Sequence, residues 1–110
     1  MENCIFCKII KKEISGKIEI DNETVLAFHD IQPQAPFHVL VIPKRHIETP
    51  VELQQNELAA IFAAIKELAE RFDLANGYRI VVNKGTDAGQ AVPHVHFHLL
   101  GKRKLAWPPG

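Results

Sequence analysis

The strongest pattern along the chain is helical. Leu58, Ile61, Phe62, Ile65, Leu68, Ala69 and Phe72 recur at three- and four-residue steps, which lays one broad apolar stripe along a helix. Glu57, Lys66, Glu67, Glu70 and Arg71 fill much of the remaining surface, so this helix is expected to face a core and carry no chemistry of its own. Asn76-Gly77 breaks it. A second, short helix is expected over residues 5 to 12, with Phe6, Ile9 and Ile10 on one side.

Elsewhere the pattern is that of strands. Ile18 to Ile20 and Thr24 to Phe28 read as two strands joined at the turn-forming cluster Asp21-Asn22-Glu23. Pro33 and Pro36 make Ile31 to Phe37 a loop, and His38 to Ile42 is a strand stopped by Pro43. Tyr78 to Asn83 is a further strand, and Lys84 to Val92 is a loop holding Gly85 and Gly89. A last strand is expected from His94 to Leu100, with Pro93 at its start, followed by the tail Trp107-Pro108-Pro109-Gly110. With no internal repeat or linker, residues 1–110 are expected to form one α+β domain. Strands interrupted by one long helix predict a mainly antiparallel sheet.

Composition narrows the function. Thirteen basic and thirteen acidic residues cancel, which argues against a nucleic-acid polymer as partner but leaves room for a small phosphorylated ligand. Two cysteines are too few for a disulfide-stapled secreted scaffold. Cys4 to Ile10 is too brief and too interrupted for a signal peptide, and no run suggests a membrane span. A cytoplasmic protein with no membrane partner is expected. A chain of 110 residues also leaves little room for a deep cleft, which makes a site shared across a dimer plausible.

The segment His94-Val95-His96-Phe97-His98-Leu99-Leu100 carries most of the chemistry. Strand alternation puts His94, His96 and His98 on one face, about 7 Å apart at successive steps, and Val95, Phe97 and Leu99 on the other. Three aligned imidazoles make poor core, because each needs partners for both nitrogens. A solvated polar face or a metal site on this strand are the alternatives to a catalytic one.

His-x-His-x-His followed by two apolar residues resembles the histidine-triad superfamily of nucleotidyl hydrolases and transferases. Phe28-His29-Asp30-Ile31, Ala35-Pro36-Phe37-His38, Val41-Ile42-Pro43-Lys44-Arg45-His46, Gly89-Gln90 and Trp107-Pro108-Pro109-Gly110 are similar to its Hint branch, the histidine-triad nucleotide-binding proteins. The likeness runs through the chain in order. It implies a five-stranded sheet with one long and one short helix, extended across a homodimer in which the tail of one chain approaches the other's site.

The resemblance also implies roles. His96 matches the nucleophile that attacks the α-phosphorus and forms a nucleotidyl-imidazole intermediate. His98 matches the contact to the phosphate or departing group, and His38 and His94 complete the catalytic set. Asp30 matches a carboxylate that receives the ribose hydroxyls, and Phe6, Ile9, Phe28, His29, Ile31 and Leu40 match positions around the base. Taken alone, those apolar residues read as ordinary core and Asp30 as a turn cap. Asn83, Gly89, Gln90, Ala91 and Val92 match positions near the phosphate, where loop N–H groups suit an anion. Three departures stand out: Ala88 precedes Gly89 where Gly-Gly is common, Ala91 replaces a frequent serine, and Pro93 replaces a frequent aromatic residue. The Ala91 change bears on leaving-group preference rather than on the nucleophile.

Cys4-x-x-Cys7 by itself reads as two reduced thiols on a short helix or as a redox pair. Some histidine-triad proteins and the related galactose-1-phosphate uridylyltransferases hold zinc through two such cysteines, a histidine after the Pro-Lys strand and the first triad histidine. Those positions here are Cys4, Cys7, His46 and His94, so the resemblance implies one structural Zn2+ per chain. The function it implies is cleavage of purine nucleoside phosphoramidates or other adenylyl conjugates. Dinucleoside polyphosphate hydrolysis, as in the Fhit-like branch, and a non-catalytic nucleotide- or zinc-binding module are the alternatives. The Trp107 tail favours Hint over Fhit, and the retained His96 argues against a module.

Overall fold

The computed structural model describes residues 3–110. Its elements are α1 (Ile5–Ile10), β1 (Ile18–Asp21), β2 (Val25–His29), β3 (Phe37–Pro43), α2 (Gln55–Arg71), β4 (Tyr78–Val82) and β5 (Phe97–Gly101), with short 3-10 turns at Pro50–Glu52 and Thr86–Ala88. The five strands form one antiparallel sheet in the order β1-β2-β3-β5-β4. This is the expected α+β architecture.

Alternation decides which layer each side chain joins. Val25 and Ala27 of β2, Val39 and Val41 of β3, and Val95, Phe97 and Leu99 pack against Ile61, Ala64, Ile65 and Leu68 of α2. Leu26, Phe28, Leu40 and Ile42, on the other face, pack against Phe6, Cys7 and Ile9 of α1 and the preceding Cys4. β3 is therefore covered on both faces, and every one of its residues is buried. In β1 a bulge between Ile18 and Ile20 sends the first to the α1 layer and the second to the α2 layer.

Several boundaries differ from the sequence reading. α1 ends at Ile10 rather than at residue 12, because Lys12 takes a left-handed conformation with φ 64°. β3 starts at Phe37, which pairs with Gly101, and β4 stops at Val82. The last strand begins at Phe97 rather than His94. Pro93 has no N–H, and the Val95 N–H donates to the Ile47 carbonyl at 2.7 Å instead of joining the ladder. The stripe of α2 is also narrower than its sequence pattern, since Leu58 and Phe62 remain exposed. Glu57, expected on the polar side, is buried. It forms a two-bonded ion pair with Arg45 at 2.8 Å and accepts the Gln54 N–H at the start of α2.

Candidate active site

His38 and His98 come from neighbouring strands, β3 and β5. The register Leu40↔His98 and His38↔Leu100 makes them diagonal neighbours on the α1 side of the sheet. His96 precedes β5 on the same side, its ring centroid 5.0 Å from that of His98. The histidines are closer than an ideal strand would set them, and they diverge in partner. His94 is fully buried and turns towards the cysteines, while His96 and His98 line a cleft.

Hydrogen bonds fix the tautomers. The His96 Nδ1–H donates to the His94 carbonyl at 2.7 Å, so the Nε2 lone pair of neutral His96 is free. That nitrogen has no protein partner among the described residues, and no buried side-chain nitrogen or oxygen is left unpartnered; Nε2 therefore opens to the cleft. A second chain of donors sets His98. The Gln34 N–H donates to His38 Nδ1 at 3.0 Å, so the proton of neutral His38 sits on Nε2 and is donated to His98 Nδ1 at 2.9 Å. His98 must then carry its own proton on Nε2. Burial, then the neighbouring His96 and His38, push the His98 pKa down to about 4. Burial also lowers that of His38, against the pull of Asp30. With His96 in its neutral form, the site thus presents one imidazole lone pair beside one imidazole N–H.

The cleft measures about 300 Å³ and is lined mainly by apolar residues. Phe6, Ile9, Phe28, Ile31, Leu40, Ala91 and Val92 from the sequence reading all border it, with Asp30, His96 and His98. Asp30 does two things: Oδ1 accepts the Gln32 N–H at 2.9 Å, as a turn cap, and Oδ2 lies 3.5 Å from His38 Nε2. His29 also borders the cleft, but its ring lies on the opposite side of the sheet from Phe28, where Nε2–H donates to Glu19 at 2.8 Å between Phe37 and Phe72. Asn83, Gly89 and Gln90 are not among the lining residues. The Gln90 side chain accepts the Gly85 N–H and donates to the Glu48 carbonyl, closing its own loop. Ile5, Ser15, Gly16 and Gln32 line the cleft without having been singled out. Ser15 and Gly16 reach it because the segment between α1 and β1 turns back on Ile9, which no local pattern signals. A larger cavity of about 530 Å³, lined by Asp73, Leu74, Asn76, Gly77, Lys102, Arg103 and Lys104, has no histidine, cysteine, serine or threonine in its lining.

Behind the cleft lie four soft or borderline donors. His94 Nδ1 is 3.4 Å from Cys4 Sγ and 3.7 Å from Cys7 Sγ, and His46 Nδ1 is 3.4 Å from Cys7 Sγ. All four ligand atoms lie within 4.8 Å of one another. Zinc bonds of about 2.0–2.3 Å in a tetrahedron put neighbouring ligand atoms roughly 3.3–3.8 Å apart, so the donor set fits zinc. Supporting contacts fit as well. The His94 Nε2–H donates to the Pro43 carbonyl at 2.8 Å, which leaves Nδ1 as the ligand, and the Cys7 N–H donates to Cys4 Sγ at 3.4 Å. Burial, with Cys4 alongside, pushes the Cys7 thiol up in the absence of a cation.

The HIT domain family model matches residues 11–105. The chain belongs to the HIT-domain family. A solved HIT family hydrolase from Legionella pneumophila Philadelphia 1 superposes with a TM-score of 0.92 at 46% identity, covering 98% of this chain and 100% of that one. The 14 kDa zinc-binding protein of Zea mays is 44% identical, over 96% of this chain and 87% of its own. Adenylylsulfatase HINT1 of Arabidopsis thaliana is 41% identical, over 96% of this chain and 76% of its own. The HIT-domain identity, with Hint-type relatives, agrees with the resemblance drawn from the motifs. Among the described residues of this HIT domain, no helix is long and apolar enough to cross a membrane.

Proposed function

We propose that this HIT-domain protein hydrolyses adenylyl conjugates, purine nucleoside phosphoramidates among them, through a nucleotidyl-His96 intermediate. The carrying observation is the 2.7 Å bond from His96 Nδ1–H to the His94 carbonyl, which leaves Nε2 as a lone pair facing the cleft. A neutral imidazole so oriented is a competent nucleophile. His96 Nε2 attacks the α-phosphorus, a P–N bond forms as the bond to the leaving group breaks, and water then cleaves the P–N bond to release the nucleoside monophosphate. His98, its proton on Nε2, donates to a phosphoryl oxygen or the departing atom. Ile9, Phe28, Ile31 and Leu40 wall the base, and Asp30 is placed for ribose hydroxyls. Asn83, Gly89 and Gln90 shape the approach to the phosphate rather than the cleft wall. Adenylylsulfatase activity in the Arabidopsis relative's name supports the adenylyl class.

Zinc in the Cys4–Cys7–His46–His94 cluster is part of this reading, supported by the ligand-atom spacing and by the zinc-binding name of the maize relative. So is a homodimer. β4 forms one edge of the sheet, and exposed Tyr78 and Val82 on it, with Phe62 nearby, offer apolar surface for a second copy. Mixing the protein with an adenosine phosphoramidate and measuring AMP release tests the activity. Release by the wild type but not by His96→Ala is expected, and no release by the wild type refutes it. Diadenosine polyphosphates as the preferred substrates would instead favour the Fhit-like alternative.

A further inference from the structure

The metal-ligand cluster and the nucleophile are built from the same pieces of chain. Cys4 and Cys7 flank Phe6, whose ring meets the His96 ring edge-on at 5.1 Å and the His94 ring at 5.9 Å. His94 directs Nδ1 to both sulfurs, while its own carbonyl oxygen accepts the His96 Nδ1–H. His46 precedes Ile47, whose carbonyl receives the Val95 N–H at 2.7 Å, between His94 and His96. Cys4 and Cys7 are thus two residues and one residue from Phe6, which meets the His96 ring; His94 bonds His96 directly; and His46 adjoins Ile47, which holds the residue before His96.

We infer that metal held by Cys4, Cys7, His46 and His94 positions the nucleophile, with His94 transmitting the effect through its carbonyl and Phe6 through its ring. This rests on reading the cluster as a metal site. Contacts between thiols and imidazoles are weak and poorly directional, whereas a tetrahedral cation fixes its ligands in direction and distance. Fixing the His94 ring, already tied to Pro43, fixes the peptide whose oxygen selects the His96 tautomer. Fixing Cys4 and Cys7 clamps α1, and with it Phe6 and Ile9 against the cleft. His94 and Phe6 are positioning residues, because they act on substrate through His96 and the cleft wall.

The test compares zinc-loaded protein, protein stripped by a chelator, and stripped protein given zinc again. Elemental analysis reports the site, circular dichroism the fold, 15N NMR of the histidine rings the His96 tautomer, and calorimetry the AMP affinity. About one zinc per chain is expected. On stripping, the His96 nitrogens should move from a single Nδ1–H tautomer towards the average of two, AMP affinity should fall at least about tenfold, and zinc should restore both. His46→Asn leaves α1 and His94 in place and weakens metal binding. It should behave as stripped protein at low zinc and as loaded protein at saturating zinc, and it serves if the stripped wild type unfolds. Zinc that binds and leaves with no change in tautomer or AMP affinity overturns the coupling but not the site. Protein that takes up no zinc overturns both.

Discussion

His38 Nε2 lies 2.9 Å from His98 Nδ1, and a single proton, carried by His38, lies between them. The arrangement requires both rings to be neutral, and burial enforces it by lowering both pKa values, that of His98 to about 4. Histidine NMR should therefore show His98 neutral at pH 5.5, where an ordinary histidine is mostly charged. His38→Ala removes the N–H that occupies His98 Nδ1 and opens the buried site, so the His98 pKa should rise. A His98 titrating near 6.5 in the wild type would contradict this.

The same shifts make stability depend on pH. A histidine with a depressed pKa binds fewer protons folded than unfolded, so its contribution is complete above about 6.5. It is lost as pH falls towards the folded value, about 4 for His98. Urea midpoints should be level from pH 8 to 7 and fall between pH 6.5 and 4, less steeply in a His38→Ala/His98→Ala double variant.

His96→Ala should fold normally, bind AMP and lose at least roughly a thousandfold in rate, because it removes only the nucleophile. Single-turnover AMP release beside calorimetric AMP binding measures both. Comparable losses in the two would mean that His96 holds the ligand rather than attacks it.

Glu57→Ala should destabilise the fold without touching the cleft. It removes a side-chain cap from the start of α2, worth about 1 kcal/mol, and the exposed Arg45 partner adds little. A lower urea midpoint with an unchanged slope is the expected outcome.

Gly89→Ala probes the loop before the histidines. Gly89 has φ 81° and ψ 28°, a left-handed conformation, but an added Cβ would meet nothing within 4 Å. The cost should be the backbone term alone, about 1 kcal/mol, seen as a small drop in melting temperature.

Light scattering at micromolar concentration should give a dimer mass, about twice 12.4 kDa. Deleting residues 105–110 should leave that mass and alter substrate preference if the tail approaches the partner's site. A monomer would remove the shared-site picture.

The elements and the sidedness of the sheet were legible because they follow from local periodicity. Period-2 alternation from His94 to Leu99 assigned residues to opposite faces, and the structure keeps Val95, Phe97 and Leu99 together on the α2 side even where His94 to His96 leaves the ladder. The histidine motif and the spacing of Cys4 and Cys7 pointed to chemistry for the same reason: each is a short-range pattern. Contacts between distant segments decided the rest. Burial of Glu57 depends on Arg45 arriving from the turn after β3. The ring of His29 goes to Glu19 because the last residue of β2 faces the α2 side. The tautomers of His38 and His98 depend on a loop N–H at Gln34 and on a strand register, which bring together residues 60 positions apart. Alternation fixes which face a side chain takes, but only the packed sheet decides what it meets there.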